Sequence, residues 1–372
     1  MRRDPDGLTG AQGPGPWPAP TEAAPIPSRK LIRSWLTPIA APSTAVAIRL
    51  ALADLLLFAL SLGLTLASRN VPLQLLAACF TGFVIARLFI LGHDACHQSL
   101  TRHRRLNRWL GRLLFLPSLT PYSLWEVGHN VVHHGYTNLR GVDFVWQPRT
   151  LEEFRALPPG RRLLERIYRS GWAPWLYYLV EIWWRRMLFP SRRLMPTRRA
   201  IFVRDCLLVS AFALAWMAGL VALAGQTGRS AAWLLTVGFA LPLLVWNGLI
   251  GFVVYVHHTH TGVAWFADKR SWAAALPFVS TTVHLTFRSG VGAALHHIME
   301  HTAHHVDMSV PLYRLKAAQR LLEERLRGHI VVQPFSWRWY RDTARRCKLY
   351  DFRQHCWTDF RGRATSDPLA VP

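Results

Sequence analysis

Histidines are concentrated in one stretch of the C-terminal half, HHIMEHTAHH at 296–305, which holds five of the 17 histidines in the 372-residue chain. Within this stretch His301, His304 and His305 form the pattern H-x-x-H-H. Residues three and four positions apart share one face of a helix, so we expect these imidazoles to point to one place. Imidazole is the neutral side chain that most readily binds first-row transition metals. The stretch therefore predicts part of a metal site whose remaining ligands lie elsewhere in the chain.

Two further histidine clusters supply candidates for the missing ligands. The first, HDACH, contains His93 and His97, which lie four residues apart, or about one helical turn. The second, HNVVHH, contains His129, His133 and His134. His129 and His133 are again one turn apart, whereas His134 points about 100° away from His133. A short helix here can therefore offer imidazoles to two neighbouring metals.

The number of histidines indicates how many metal ions to expect, and of what kind. Eight ligands exceed what one ion uses, and structural zinc takes only four, so we expect a two-metal site. Imidazole-rich coordination with vacant positions fits iron, which activates dioxygen. The predicted metal ligands are His93, His97, His129, His133, His134, His301, His304 and His305.

Carboxylates near the clusters are candidates for orienting the imidazole N–H groups, because neutral ligands leave the charge of the metal uncompensated. Only 21 residues of the chain are acidic, yet five of them lie in or close to the clusters. An ordinary surface position explains any one of them equally well. The five candidates are Asp94, Glu126, Asp143, Glu300 and Asp307.

Four long apolar segments must position these clusters, and 51% of the chain is hydrophobic. A helix over 44–67 reaches roughly 36 Å, enough to cross the hydrocarbon core of a membrane. Short connections at 68–70 and 226–230 join the segments into two helical hairpins. The predicted fold is an all-α membrane protein whose helical cap, on one face, carries all three clusters just beyond the spans. The predicted spans are 44–67, 71–92, 203–225 and 231–256.

The segments outside the spans are strongly basic, and the formal net charge is +23. Arginines beside apolar spans mark the cytoplasmic side of a membrane and explain this charge without nucleic acid. We therefore expect an integral protein of a bacterial inner membrane, with its active site cytoplasmic and no nucleic-acid partner. Residues 1–30 are rich in Pro and Gly and are predicted to be a disordered tail, 31–360 one domain, and 361–372 a C-terminal tail.

The order H-x-x-x-H, H-x-x-x-H-H and H-x-x-H-H around two hairpins resembles the membrane fatty acid desaturase family. HDACHQSL, GHNVVHHGYTN and EHTAHHVDMSVPLY resemble its three histidine boxes, although the second box has one residue more than the commoner H-x-x-H-H. YVHHTHTGVAWF at 255–266 and CKLYDF at 347–352 are similar to segments of acyl-lipid desaturases of the Δ12 or omega-6 type. The resemblance covers roughly 45 to 360, so the domain 31–360 is identified as a desaturase domain.

The resemblance implies a di-iron centre that uses dioxygen and two electrons to introduce a double bond into a fatty acyl chain. It also implies one further histidine ligand between the second and third boxes. His258, His260, His284 and His297 are candidates, and we favour His258 and His260 without choosing between them. The sequence contains no H-P-G-G haem-binding stretch and no cysteine set for an iron–sulfur cluster. An external acidic donor such as ferredoxin suits the basic face electrostatically.

Other functions remain open from the sequence. A carotenoid ketolase or hydroxylase, or an alkane hydroxylase, shares histidine boxes but inserts oxygen. A non-catalytic metal transporter is more remote, because it would be expected to carry its histidines or acids within the spans. The segments at 255–266 and 347–352 favour desaturation.

Overall fold

The protein is described by a computed structural model covering residues 26–288 and 290–371, so nearly all of the predicted tail at 1–30 lies outside the described residues. Helices account for most of the described chain. In its N-terminal half these are α1 (Arg29–Leu36), α2 (Thr44–Ala67), α3 (Val71–Cys96), α4 (Arg104–Phe115), α5 (Tyr122–Glu126), π1 (Val127–His133), α6 (Leu151–Arg155), α7 (Pro159–Tyr168), α8 (Pro174–Tyr177) and π2 (Tyr178–Met187).

The C-terminal half adds two long helices and a cap of short elements. The predicted helical fold is confirmed, and two small two-stranded sheets occur in the cap, β1 with β2 in parallel and β3 with β4 antiparallel. The elements are α9 (Ala200–Thr227), α10 (Ala231–Leu235), π3 (Thr236–Ala240), α11 (Leu241–His258), α12 (Lys269–Ala274), α13 (Pro277–Ser280), β1 (Val283–Thr286), α14 (Val291–Ala294), α15 (His301–Val306), α16 (Leu312–Arg325), β2 (Val331–Pro334), α17 (Trp337–Arg346), β3 (Leu349–Asp351) and β4 (Cys356–Thr358).

Four helical segments of the described chain are long and apolar enough to cross a membrane: Thr44–Ala67, Val71–Cys96, Ala200–Thr227 and Ala231–His258. The first has the predicted boundaries, and the other three extend beyond them. Hydropathy marks the apolar part of a helix, and polar residues such as His93 continue the helix past that part. The first cluster therefore begins inside the last turn of α3, at His93, rather than just beyond the span, and His258 likewise lies in the last turn of α11.

The long helices differ in how much of their surface is covered. In the apolar window of α3, 67% of residues are buried, compared with 22% in α2 and 17% in α9. The outer helices expose large apolar side chains such as Leu52 and Leu214, which are 61% and 65% exposed. Exposed leucines on a span suit contact with lipid. The most buried helix, α3, is the one that carries His93 at its end.

The two hairpins are joined at the end remote from the histidines. The Gln74 side chain donates to the Thr65 carbonyl and accepts from the Trp233 indole N–H, at 2.9 and 2.8 Å. The Arg229 guanidinium donates to the Ser68 carbonyl, so the connections at 68–70 and 226–230 contact each other. Both connections therefore lie at one end of the bundle, and the cap with its histidines lies at the other.

The cap is tied together by its C-terminal part. The backbone N–H of Thr365 donates to the Trp357 carbonyl, and that of Leu369 donates to the His355 carbonyl. Trp265, Tyr350 and Trp357 form a small buried core of their own. These contacts fasten the segment predicted as a tail, as far as residue 371, onto the cap.

Candidate metal centre

The three histidine clusters meet at one end of the helical bundle and form two groups. Within each group, one ligand atom per residue lies within 4.8 Å of the corresponding atom of every other member. The first group draws on all three clusters, and the second adds one histidine from the end of α11. The first group is His93, His97, His129, His134 and His304, and the second is His133, His258, His301 and His305.

The first group has ring nitrogens at the spacing expected of ligands around one ion. The Nε2 atom of His93 lies 2.7 Å from that of His129 and 3.2 Å from that of His97. The Nε2 atoms of His129 and His134 are 3.1 Å apart. Nitrogen ligands bound at about 2.0–2.1 Å to a single metal lie roughly 3 Å from one another when adjacent. Neither ring nitrogen of buried His304 has a hydrogen-bond partner among the described residues, which suits a metal ligand.

The second group converges in the same way. The Nε2 atom of His301 lies 3.1 Å from that of His258 and 3.0 Å from that of His305. The ring of His133 completes the group, with its centroid 4.6 Å from that of His258 and 5.0 Å from that of His305. The residues present in each group therefore fit a transition-metal ion.

The sequence led us to expect that all three histidines of the third cluster point to one place, and this expectation is wrong. His301 and His305 are one turn apart on α15 and share the second group, whereas His304 joins the first. Adjacent positions on an α-helix point about 100° apart, so His304 and His305 cannot serve the same ion. The short helix α15 instead bridges the two groups.

The second cluster lies on a π-helix, π1, rather than on an α-helix. The backbone N–H of His134 donates to the carbonyl of His129, five residues earlier, at 2.9 Å. The wider turn of a π-helix brings residues five apart onto one face. His129 therefore pairs with His134, and His133 points to the second group. The pairing of His129 with His133 expected from α-helical spacing is therefore wrong, and His129 shares its group with His134. The wider turn of π1 accommodates the additional residue of this box.

Only one of the four extra candidate histidines reaches a group. His258 joins the second group, and its Nδ1 atom lies 3.3 Å from the Thr281 carbonyl oxygen. The other three are bound elsewhere in the cap. The Nε2 atom of His260 lies 3.3 Å from Gln333 Oε1, the Nδ1 atom of His284 lies 2.5 Å from Glu323 Oε1, and the Nδ1 atom of His297 lies 2.9 Å from Glu300 Oε1.

One of the five candidate carboxylates orients a box histidine directly. The Nδ1 atom of His133 lies 3.1 Å from Oδ1 of buried Asp143. The backbone N–H groups of Asn138 and Val145 donate to the same carboxylate, which holds it in place. With Nδ1 bound to Asp143, Nε2 of His133 is left to face the second group.

The other four carboxylates have different partners. Asp94 accepts from the backbone N–H of Leu312 at 2.7 Å, and its Oδ1 atom is 3.9 Å from Nδ1 of His93, too far for a hydrogen bond. Burial raises the pKa of Glu126, and Arg108 and Arg112 oppose this rise. Glu300 binds His297, and Asp307 binds Arg33 at 3.0 Å. Of the five acids chosen for their proximity in sequence, Asp143 therefore orients a box histidine. Asp94, Glu300 and Asp307 instead bind other groups of the cap and its surroundings.

Burial also sets the protonation state of the groups. Desolvation, followed by repulsion from neighbouring histidines, lowers the pKa of six imidazoles of the two groups, all of them outside the spans, well below its usual range. Neutral imidazole is the metal-binding form, so the site holds its ligands ready at physiological pH. The imidazoles with a lowered pKa are His97, His129, His134, His301, His304 and His305.

An apolar cavity opens onto both histidine groups. It lies between α3, π2 and α11, and Trp125 stacks on the ring of His129 beside it, with centroids 5.0 Å apart. An apolar chain entering from the bilayer could extend between these walls to the histidines. The apolar lining includes Phe89, Ile90, Trp125, Tyr178, Ile182, Ile250 and Val253, and the histidine lining includes His93, His129, His133, His258 and His301.

A buried charged network next to the site was not assigned from the sequence. Asp54, inside α2, accepts from the Nε and Nη2 groups of Arg87 on α3, at 3.0 and 2.7 Å. Its second oxygen lies 2.6 Å from Nε2 of His296, and Arg87 also donates to the carbonyl of Ala294. The signals in the sequence were an acidic residue in one apolar span, Asp54, and a basic residue in the next, Arg87. The network fastens the loop before α15 to the two spans.

Four apolar spans and two converging histidine groups beside an apolar cavity define a histidine-rich membrane protein whose imidazoles could hold metal ions. The profile described as "Fatty acid desaturase" matches residues 70–337. The chain belongs to the fatty acid desaturase family, a family of oxidoreductases, as its three boxes had predicted.

Curated relatives indicate the branch of this family. The chain is 28% identical to the sn-1 oleoyl-lipid 12-desaturase of Synechocystis sp., over 73% of this chain and 74% of that protein. It is 28% identical to the chloroplastic omega-6 fatty acid desaturase of Brassica napus and 30% identical to that of Arabidopsis thaliana, each over 74% of this chain. It spans 60% and 59% of those two longer proteins. The predicted resemblance to the acyl-lipid Δ12/omega-6 type is confirmed.

Proposed function

We propose that this protein introduces a carbon–carbon double bond into the fatty acyl chain of a membrane lipid, next in line after an existing double bond. The observation that carries the proposal is the apolar cavity that runs between the spans to both histidine groups. The relatives named as oleoyl-lipid 12-desaturase and omega-6 desaturase support this choice of substrate and position.

Two iron ions, one in each histidine group, are the cofactors that suit this reaction. Imidazole donors without coordinating carboxylates fit iron that keeps open positions, and nine histidines are more than two zinc ions would use. When bound, the iron pair supplies the oxidising power of dioxygen that breaks unactivated C–H bonds. The overall reaction balances as one dioxygen, two electrons and two protons consumed, with two hydrogens removed from the acyl chain and two waters formed.

The protein's own residues bind the chain, exclude water and hold the ligands in place. The cavity walls, including Phe89 and Ile250, present apolar surface to the acyl chain and keep bulk water from the reacting carbons. Asp143 fixes the ring of His133 through Nδ1, and Trp125 fixes the plane of His129 by stacking on it. The reaction is thereby confined to the carbons that lie nearest the histidines.

The electrons come from a separate protein. The cap is basic, and the formal net charge of the chain is +23. An acidic donor such as ferredoxin is attracted to such a surface. Arginine-rich segments face the cytoplasm in membrane proteins, so we place the cap and its site on the cytoplasmic side of a bacterial inner membrane.

Expression in a host that makes oleate but no dienes tests the proposal. With a ferredoxin and its reductase present, gas chromatography of total lipid should reveal a diene that depends on oxygen and disappears on iron chelation. A matched host carrying His301→Ala should produce none. Hydroxylated or ketolated products alongside an unchanged acyl profile would favour an oxygen-inserting enzyme on the same scaffold and refute desaturation.

A further inference from the structure

A second groove lies beside the acyl cavity, between the end of π2 and the start of α9. Its floor is apolar, and two arginines stand at its edge. Leu124, Phe189, Phe202 and Val203 are among the apolar residues, and Arg198 and Arg199 are the arginines.

The two arginines carry positive charge that the protein does not neutralise. Both side chains are exposed, and neither has an ion-pair partner among the described residues. The nearest acid in sequence, Asp205, is already bound by the Arg112 guanidinium at 2.9 Å and by the backbone N–H of Ser123 at 2.9 Å. The groove therefore combines an apolar floor with two uncompensated guanidinium groups.

A thin wall separates this groove from the acyl cavity. Leu124 lines the groove, while the next residue, Trp125, lines the cavity. On the other side, Met187 lines the cavity and Phe189 lines the groove. The backbone N–H of Phe189 contacts Cys206 Sγ at 3.4 Å, which ties this wall to α9. A molecule in the groove is thus one side-chain layer away from the cavity.

The groove also lies at the depth where lipid headgroups are expected. It is at the beginning of the apolar helix α9, whose first turn contacts α5 through a hydrogen bond from Ser123 Oγ to the Ile201 carbonyl. Helix α5 runs directly into π1 and its histidines, so this is the end of α9 that lies beside the cap. Arginines at this level of a span meet the phosphates of the membrane surface.

We propose that this groove binds an anionic glycerophospholipid, with its phosphate on Arg198 and Arg199 and its apolar part against Leu124 and Phe202. Guanidinium groups bind phosphate oxygens through paired, charge-assisted hydrogen bonds. The inference rests on the proposed function in one respect, namely that the same lipid presents its acyl chain to the neighbouring cavity. The groove would then select phospholipid over uncharged lipid as substrate.

Native mass spectrometry of the purified full-length protein with phosphatidylglycerol tests the groove. Arg198→Gln/Arg199→Gln should weaken retention of this lipid about tenfold. The matched control is Arg192→Gln/Arg193→Gln, which removes the same charge from two exposed arginines of the same segment that do not line the groove. An uncharged galactolipid should be retained equally by all three proteins. Equal loss of phosphatidylglycerol in both double variants, or no loss in either, would overturn the proposal.

A second variant distinguishes binding of lipid in the groove from attraction of lipid by positive charge alone. Val203→Trp fills the floor without changing any charge, and it should lower phosphatidylglycerol retention by a similar factor. Unchanged retention in this variant would also refute the site. Lipid profiling of the same wild-type protein tests desaturation independently. Loss of retention only in the groove variants, with no diene from wild type, would support the groove and refute the proposed reaction.

Discussion

At the scale of single residues, two histidines of one short motif have different environments. His258 ends α11 and lies buried with His301 in the second group. Thr259 then adopts an extended conformation, with φ of −124° and ψ of 104°, so His260 turns away toward Gln333. The sequence offered both as the extra ligand, and the geometry favours His258.

The first prediction concerns replacement of each of these two histidines by alanine. His258→Ala should lower bound iron by about one ion per chain and abolish diene formation, because it removes one of four imidazoles in the second group. His260→Ala, its matched control two residues away, should retain full iron. Elemental analysis of both purified variants provides the measurement. Full iron in His258→Ala together with loss in His260→Ala would reverse the assignment.

At the scale of elements, π1 explains how a box with one additional residue still forms a site. A π-helix arises when one residue is inserted into an α-helix and the flanking turns keep their places. Val131 lies within π1 between His129 and His133, and its side chain is 59% exposed. It is therefore the residue whose loss disturbs the core least.

The second prediction is that deleting Val131 is tolerated. The deletion converts the box to H-x-x-H-H, and an α-helix then places the first and last histidines four apart on one face. We expect the protein to keep most of its iron and at least part of its activity, as measured by metal analysis and lipid profiling. Deleting Thr302 from α15, where no wider turn absorbs the change, should eliminate both. Equal loss in the two deletions would argue against this role of π1.

The network of Asp54, Arg87 and His296 gives the third prediction. Asp54→Ala leaves the half-buried Arg87 without its carboxylate partner in the span, which should destabilise the protein by about 3–5 kcal/mol. Arg49→Ala, on an exposed arginine of the same helix, should change stability by less than about 0.5 kcal/mol. Asp54→Leu combined with Arg87→Met should recover much of the loss, because no charge then remains unpaired.

Thermal unfolding of these variants in detergent, followed by circular dichroism, provides the measurement. A melting temperature for Asp54→Ala equal to that of the Arg49→Ala control would show that the network does not fasten the spans. A double variant less stable than Asp54→Ala alone would contradict the charge argument.

At the scale of the whole molecule, the common face of the three clusters follows from two hairpins. The fourth prediction is that both hairpin connections lie outside the cell and the cap inside. Cysteines introduced at Asn70 and Gln226 should react with an impermeant maleimide in intact cells, and those at Gln98 and Arg140 should not. Cys79 is the native cysteine to replace, since the other four are buried. Labelling in the opposite pattern would contradict the orientation.

Much of this arrangement could be predicted from the sequence because it depends on local pattern. Hydropathy located the four spans, and the spacing of His93 with His97 or of His301 with His305 indicated shared helix faces. A two-metal site was predicted, but the assignment of individual histidines to the two groups was not, since it depends on the π-helical turn at His134 and on contacts between α11 and α15. The contact between Asp54 and His296 could not be predicted either, because the two residues are 242 positions apart in the sequence. Strands of three or four residues, such as β3 and β1, are too short to carry a periodic signal.

The proposed desaturation depends on two iron ions, one held by each histidine group. The most direct test is the iron content of purified wild-type protein, measured on the same preparation that forms diene from oleoyl lipid. We predict about two iron ions per chain, about one in His258→Ala, and loss of diene formation in step with chelation of iron. A single metal ion per chain, or zinc at full occupancy in protein that still forms diene, would contradict the account.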